Sequence, residues 1–216
     1  MAFQGNKHKV FISLYYDEGR DFKKALIDWN EAHDHSLFDD DSVGENEIDD
    51  QDKTDEQVRR IIRKEYIKQS SVLLLLCGPK TKTRKFVDWE LQAAMTDDPE
   101  DPNNKKCGIL VINLPGSSNG VRAHTSEEKA LVSGPSTAWH ANKSRADYER
   151  DYPDLPSRII DCFANNGCPI AIVDWDSVWG HFQNLFTLID FAYQRRDELV
   201  YDTSAPLMGR NSTGQH

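Results

Sequence analysis

The sequence lacks the signatures of several common functional classes. It has neither a Gly-x-Gly-x-x-Gly loop nor a Walker A loop, which argues against a Rossmann dinucleotide-binding domain and against a P-loop NTPase. None of its 7 histidines stands in a nucleophile-elbow context, so a Ser-His-Asp hydrolase is not indicated. No Cys-x-x-Cys pair and no cluster of Cys and His has metal-ligand spacing, and we therefore expect no metal site.

Long apolar runs and an excess of positive charge are also missing. The longest apolar run is far too short to cross a membrane. The first residues, Met1 to Lys9, are polar and basic with no apolar signal segment behind them, which argues against export. A formal net charge of -10 and a pI near 5.1 argue against nucleic acid or an anionic membrane as a principal partner. The sequence therefore favours a cytoplasmic protein, in which we expect the 4 scattered cysteines to be reduced and packed.

A short apolar run, Val72 to Leu76, stands out in the middle of the chain. Such a run is typical of a central parallel strand covered on both faces, and Gly78-Pro79 ends it. Cations follow at the start of the next element, where a helix dipole disfavours each by roughly a few tenths of a kcal/mol: Lys80, Lys82, Arg84 and Lys85. One interpretation is a solvated basic loop. The other is that these cations face an anion at the carboxyl ends of the strands, where open α/β sheets bind ligands.

From Phe86 the hydrophobic period becomes that of a helix. The core stripe of this helix spans an arc of about 100 degrees and consists of Val87, Leu91, Ala94 and Met95. Glu90 lies about 60 degrees from Val87 on the same wheel, so we expect its side chain to be half-buried at the edge of the stripe. Trp89 points away from the stripe, and we expect it to be exposed at an interface or a ligand site.

Strands and helices alternate along the rest of the chain. The patterns predict 5 strands, at 8–14, 36–38, 72–76, 107–113 and 168–173. Amphipathic helices separate them, and Thr54 with Gln57 forms a capping box in front of the second helix. This alternation predicts an α/β fold with a flavodoxin-like, doubly wound and mostly parallel five-stranded sheet. A single domain is expected over residues 1–200.

Three segments fall outside the alternation. Residues 39–52 are rich in acids and have no apolar period, which predicts a long exposed loop. Residues 114–167 are predicted to be a long irregular insertion between the last two strands, with one short helix near 156–163, and a loop of this length usually carries function. Residues 201–216 are polar and are predicted to be a disordered tail.

The stretches VFISLYYDEGRDF, SSVLLLLCGPKT and RKFVDWE occur in this order between residues 8 and 95. They resemble the opening strand with its Phe-x-Ser turn, the third strand with its Gly-Pro-x-Thr loop, and the Arg-x-aromatic-Val-x-x-Glu motif of TIR domains. They look most like the TIR-like proteins of bacterial Thoeris anti-phage systems. This resemblance implies NAD+ glycohydrolase or ADP-ribosyl cyclase chemistry, in which the N-glycosidic bond to nicotinamide breaks. The product would be an ADP-ribose derivative, linear or cyclic, that signals to a separate effector.

The same resemblance implies roles for individual residues. Glu90 matches the catalytic glutamate of the NAD-cleaving TIR enzymes. The residues that would contact NAD+ are Phe11, Ser13, Tyr15, Tyr16, Lys80, Arg84, Phe86 and Trp89. NAD+ is then the substrate, and no further cofactor is implied. The implied partners are the downstream effector, reached through the product, and an activator that is either a second copy of the chain or a phage-derived molecule.

Two alternatives belong to other functional classes. A non-catalytic TIR-like module would work by assembly with partner proteins, through the acidic loop and Trp89, and its partner binding would not depend on Glu90. A nucleoside or nucleotide glycosyltransferase on a related α/β fold would also use a glutamate, but its substrate would be a free nucleoside. Dependence of NAD+ turnover on Glu90 and a panel of substrates would separate the three hypotheses.

Overall fold

A parallel β-sheet lies at the centre of the computed structural model, which describes residues 7–35, 37–40, 53–67, 69–98, 101–102, 104–132 and 144–209. Its strands are β1 (Lys9–Leu14), β2 (Asp39–Asp40), β3 (Val72–Cys77), β4 (Gly108–Asn113) and β5 (Ala171–Asp174). They are ordered β2-β1-β3-β4-β5, and every neighbouring pair is parallel. The predicted parallel α/β fold is therefore confirmed, with four full strands and a two-residue edge strand in place of five comparable strands.

Helices cover both faces of this sheet. They are α1 (Tyr16–Ala32), α2 (Asp55–Ile61), α3 (Lys85–Ala94), α4 (Ser126–Leu131), α5 (Arg145–Asp151), α6 (Ser157–Asn166), α7 (Trp175–Val178) and α8 (Phe182–Arg195). The apolar core on one face includes residues of α1 and α8, and the core on the other face includes residues of α2, α3, α5 and α6. The described helices include none that is both long enough and apolar enough to cross a membrane.

The strands β1 and β3 form the middle of the sheet. They are paired from Val10 with Val72 to Leu14 with Leu76, and all residues of β3 are buried, as the apolar run predicts. The chain leaves β1 towards β2 on one side and leaves β3 towards β4 on the other. The carboxyl ends of β1 and β3 therefore flank the switch point of the doubly wound sheet, where ligands of such folds bind.

The second strand lies further along the chain than predicted. It was expected at 36–38, but the structure places β2 at Asp39–Asp40. The side-chain amide of Asn30 explains the shift, because its Oδ1 accepts hydrogen bonds from the backbone N–H of Leu37 (2.9 Å) and Phe38 (3.3 Å), and its Nδ2 donates to the Phe38 carbonyl (2.8 Å). These backbone groups are thus satisfied by a side chain, without a β-ladder. The rest of the predicted acidic loop, residues 41–52, lies outside the described residues.

The predicted irregular insertion at 114–167 contains more regular structure than expected. The helix predicted near 156–163 is α6, and α4 and α5 precede it. Both additional helices begin with capping boxes, Thr125 with Glu128 and Ser144 with Asp147, and such caps stabilise helices too short to show a clear hydrophobic period. The last strand also begins later than the predicted residue 168, at Ala171.

The prediction of a disordered tail is wrong for residues 201–209. The Tyr201 hydroxyl donates a 2.8 Å hydrogen bond to the Cys107 carbonyl, and Tyr201 is only 8% exposed. We call residues 199–209 the C-terminal segment; it packs along α3 and α6. Its polar sequence conceals this, because much of the contact is made by its backbone groups. Residues 210–216 lie outside the described residues.

The four cysteines are free and buried, as predicted: Cys77, Cys107, Cys162 and Cys168.

Candidate active site at the carboxyl ends of the central strands

Glu90 faces the end of β1 from the second turn of α3. Its side chain is half-buried, and its Oε2 accepts a 2.6 Å hydrogen bond from the Ser13 hydroxyl. Ser13 is 1% exposed, one residue before the end of β1. The structure therefore brings together the predicted catalytic residue and one of the predicted ligand contacts, although 77 positions separate them in the sequence.

Burial gives this carboxyl group an unusual acidity. Desolvation raises the pKa of Glu90 to about 7, while the Ser13 hydrogen bond and the ammonium group of Lys23 act in the opposite direction. Burial disfavours the charged form of an acid, whereas a donor or a cation nearby favours it. Within the part of the chain that the structure describes, Glu90 forms no ion pair. The acid is consequently divided between its protonated and ionised forms at neutral pH.

Aromatic side chains border this acid. Phe11 is 3% exposed and belongs to the core beneath α3, so it supports the site from below. Tyr66 lies in a π-helical turn, Ile62–Ile67, that continues α2 and packs against α3. The pKa of Tyr66 is raised, mainly by burial and then by the charges of Glu65 and Glu90, which places the Tyr66 ring within electrostatic range of the acid. The sequence pattern does not point to Tyr66 as a neighbour of Glu90, because a π-helical turn has no signal in hydrophobic periodicity.

Tyr15 and Arg84 stack on each other where the two central strands end. The Arg84 guanidinium lies 3.6 Å from the centroid of the Tyr15 ring, and the Tyr15 hydroxyl donates a hydrogen bond to the Asp17 carboxylate. Tyr16, the next residue, is 44% exposed and stacks with Arg20 instead. Tyr15 and Arg84 are thus placed together at the switch point, whereas Tyr16 points to solvent.

The basic turn after β3 is only partly available to a ligand. The Lys82 ammonium donates to the Pro153 carbonyl at 2.6 Å, and the Lys85 ammonium lies over the rings of Phe86 (5.0 Å) and Trp89 (5.2 Å). Lys80 is exposed. These contacts involve Lys82 and Lys85. They do not involve Lys80 and Arg84, the two cations predicted to contact NAD+.

Trp89 is not exposed, which corrects the sequence prediction. It is 0% exposed and its indole Nε1 donates a 3.1 Å hydrogen bond to the Met208 carbonyl. The C-terminal segment covers the side of α3 that the helical wheel assigned to solvent. Phe86 is half-buried and contacts Trp89 edge to face, with ring centroids 5.4 Å apart. Phe86 and Trp89 therefore pack against each other along α3, and Trp89, fully buried, has no access to a ligand.

Two further features of the described surface lie apart from Glu90 or are missing. No group of three or more His, Cys, Asp or Glu among the described residues is arranged to hold a metal ion. A shallow depression lined by Arg59, Arg63, Ala93 and Thr96 lies at the far end of α3, and Glu90 does not line it.

A doubly wound parallel sheet in the order 2-1-3-4-5, with a half-buried carboxylic acid on the helix after its third strand, defines a flavodoxin-like α/β domain with a candidate acid site. The sequence model of the family described as "Thoeris protein ThsB, TIR-like domain" matches residues 11–119, just over half of the 216 residues. The chain belongs to this family of TIR-like domains. A search of curated proteins finds no match. The matched region extends from β1 past β4 and includes Ser13 and Glu90.

Proposed function

We propose that the protein is an NAD+-cleaving enzyme of Thoeris anti-phage defence. It breaks the bond between nicotinamide and ribose, and its ADP-ribose-derived product signals to a separate effector. The observation that carries this proposal is the pairing of Glu90 with Ser13, which holds a half-buried carboxyl group of pKa about 7 at the switch point of the sheet. Membership of the TIR-like family supports the same chemistry.

The reaction asks little of the protein beyond a well-placed negative charge. When the C–N bond breaks, both bonding electrons leave with nicotinamide, whose positively charged ring becomes neutral. The ribose passes through an oxocarbenium-like state, as in glycoside hydrolysis. Ionised Glu90 stabilises this positive charge, and partial burial strengthens the interaction because little water screens it. Water then adds to the ribose carbon and releases a proton, or a nucleophilic atom of the same ADP-ribose unit adds and closes a ring.

Ser13 has a positioning role in this scheme. Its 2.6 Å hydrogen bond keeps the Glu90 carboxylate turned towards β1, and it lowers the pKa of the acid, so that more of the carboxylate is ionised at neutral pH. Tyr15 and Arg84 border the same crevice, where a ring can stack and an anionic group can bind. NAD+ is the substrate, and the scheme requires no further cofactor.

The test is mass spectrometry of the products after incubation with NAD+, with and without lysate from phage-infected cells as a source of activator. Glu90→Gln keeps the shape of the side chain and loses only its charge, so turnover should fall by at least about a hundredfold, the usual scale for a key electrostatic group. Glu127→Gln is the matched control, since Glu127 is exposed on α4. Equal turnover by Glu90→Gln and the wild type would rule out the assignment.

Activation by assembly is the second part of the proposal. TIR enzymes commonly complete their pocket with a loop from a neighbouring subunit, and the acidic residues 39–52 occupy the corresponding place in the sequence. Activity per molecule should therefore rise with protein concentration or on addition of a phage-derived activator. Salt should weaken this dependence, because exposed charge pairs are screened. A flat profile of specific activity at low and at high salt would contradict a role for the acidic loop in assembly.

The alternative is still a non-catalytic module that works by assembly, but one of the two contacts it was expected to use is not exposed. The hypothesis used Trp89 as an exposed contact, and the structure buries Trp89 under the C-terminal segment. Products that appear with the wild type and disappear with Glu90→Gln would exclude it.

A further inference from the structure

In the turn after β3, the backbone N–H of Lys80 donates a hydrogen bond to the side chain of Glu18 on α1. The N–H of Lys80 lies 3.2 Å and 3.1 Å from the two carboxylate oxygens of Glu18. Glu18 is half-buried in the first turn of α1. Because β1 and β3 are neighbours and end side by side, this contact spans the crevice between the loops that follow them. A negatively charged group of the protein itself therefore occupies the switch point.

Gly78 allows the carboxylate to come this close to the backbone. A Cβ atom at position 78 would lie 2.5 Å from Glu18 Oε2 and 3.0 Å from its Cδ, too close for any other residue without a shift of Glu18. Glycine at the end of a central strand lets the oxygens of a phosphate approach the main chain in nucleotide-binding α/β folds. The backbone at Gly78 and Lys80 is accessible in the same way, and the Glu18 carboxylate occupies this position.

Two cationic side chains, Lys80 and Arg84, belong to the same turn as this contact. Lys80 is exposed beside its own N–H, and the Arg84 guanidinium lies over the Tyr15 ring. The Nε of Arg84 is buried and has no hydrogen-bond acceptor among the described residues. A carboxylate and a phosphate accept hydrogen bonds from the same backbone and guanidinium donors. The position held by Glu18 thus suits an anion with more oxygens than a carboxylate carries.

We propose that Glu18 fills an anion-binding position of the crevice, and that the diphosphate group of a nucleotide displaces it on binding. The choice of a nucleotide diphosphate rests on the proposed function. Before the ligand binds, the carboxylate competes for the Lys80 N–H and repels the phosphates. The apparent affinity is then reduced by the fraction of molecules in which Glu18 has moved away. Removing the charge of Glu18 should therefore strengthen nucleotide binding.

The competing explanation is that Glu18 only fastens α1 to the turn after β3. In that case its removal lowers the melting temperature and leaves the affinity for nucleotides unchanged or weaker. Only displacement of Glu18 by the ligand predicts tighter binding after its removal, so a single binding experiment separates the two explanations.

The experiment is calorimetric titration of ADP and of adenosine into the full-length wild type, Glu18→Gln, Glu18→Ala and Glu31→Gln. Glu31 is exposed at the other end of α1 and provides the same change of net charge away from the crevice. We expect both Glu18 variants to bind ADP about tenfold more tightly than the wild type, a gain of about 1.4 kcal/mol. Glu31→Gln should match the wild type, and adenosine, which has no phosphate, should bind all four proteins alike. The gain should shrink at high salt, where charge repulsion is screened.

The proposal is overturned if both Glu18 variants bind ADP no better than the wild type, or if none of the four proteins binds ADP. Its failure can be told apart from failure of the proposed function, because ADP binding requires no cleavage of NAD+. Tighter ADP binding by the Glu18 variants of a protein that does not cleave NAD+ would support the anion site and contradict the enzyme. NAD+ cleavage with unchanged ADP affinity would do the reverse.

Discussion

Helix α3 carries two acids in opposite environments, the buried Asp88 and the half-buried Glu90. Asp88 is 4% exposed and its two oxygens accept hydrogen bonds from Arg158, at 2.9 Å from Nε and 2.8 Å from Nη2. The Met208 N–H adds a third bond at 2.8 Å. Glu90, two positions later, accepts a hydrogen bond from the Ser13 hydroxyl and, within the described chain, has no ion-pair partner.

This difference in environment distinguishes Asp88, an acid that stabilises the fold, from Glu90, a candidate for catalysis. A buried charge is expensive unless a countercharge and hydrogen bonds compensate it, and Asp88 has both. Glu90 has one neutral hydrogen-bond donor, the Ser13 hydroxyl, which compensates only part of the cost of desolvation. Desolvation therefore raises the pKa of Glu90 to about 7. An acid that stays incompletely compensated in a crevice is a candidate for catalysis, because natural sequences retain such a cost where the charge is used.

Asp88→Asn should produce the largest change in stability. It would leave the Arg158 guanidinium, 2% exposed, without its countercharge, and breaking a buried ion pair in this way costs about 3–5 kcal/mol. The free energy of unfolding from urea titrations measures the loss. The matched control is Asp28→Asn, which removes an exposed pair with Lys24 and should cost at most about 1 kcal/mol. Similar losses from the two variants would show that the Asp88 pair is not the structural element inferred here.

Glu90→Gln should have the opposite effect on stability, and the effect should depend on pH. The pKa of Glu90 is about 7 in the folded protein against a reference of 4.5, so the folded state binds the proton more tightly. Ionisation therefore costs stability as pH rises from 4.5 to 7, and the full cost is present above pH 7. The variant should be more stable than the wild type at pH 8, by at most about 3.5 kcal/mol, since one pKa unit corresponds to about 1.4 kcal/mol.

Thermal unfolding of Glu90→Gln and the wild type at about pH 4 and pH 8 checks this prediction, with Glu127→Gln as the exposed control. At the lower pH both forms of residue 90 are neutral, and the two melting temperatures should converge. A variant that is less stable than the wild type at pH 8 would show that Glu90 is compensated in the fold as Asp88 is.

Turnover should depend on pH with an inflection near the pKa of Glu90, about 7. Since the ionised acid is the active form, kcat/KM for NAD+ should be about tenfold below its plateau one pH unit under the inflection. Ser13→Ala removes the hydrogen bond that lowers this pKa, and the inflection should move to higher pH. Kinetics between about pH 5.5 and pH 9 measure both curves. Superimposable profiles for the two proteins would contradict the coupling of Ser13 to Glu90.

Tyr201→Phe should give the smallest effect, and it tests the covered side of α3. The variant loses the buried 2.8 Å hydrogen bond to the Cys107 carbonyl, which is worth about 1 kcal/mol. Turnover should stay within about twofold of the wild type, because the described hydrogen bonds between the C-terminal segment and α3 are made with Asp88, Trp89 and Gln92. Urea unfolding and initial rates are the measurements, and Tyr16→Phe, at an exposed tyrosine, is the control for stability. A large loss of activity without loss of stability would give the C-terminal segment a role in the chemistry.

The sequence by itself determined the elements whose patterns are local. The buried run of β3, the helical stripe of α3 and the half-buried position of Glu90 follow from hydrophobic periodicity, and the structure has all three. The order of these elements predicted a parallel sheet, and the resemblance to TIR domains implied that Ser13 and Glu90 share a site. The capping box of Thr54 and Gln57 was also readable, since it involves residues only three apart.

Only the tertiary structure decided which groups meet over long distances in the chain. The helical wheel predicted that Trp89 faces solvent, because a wheel contains no information on the C-terminal segment. That segment covers Trp89 through Met208, which lies 119 residues further along the chain. The contact of Glu18 with Lys80 spans 62 residues and has no periodic signal. The edge strand begins later than predicted, because the Asn30 side chain forms hydrogen bonds with the backbone groups of residues 37 and 38. Periodicity reports which face of an element is apolar, whereas the partner of each polar group depends on the packing of the whole chain.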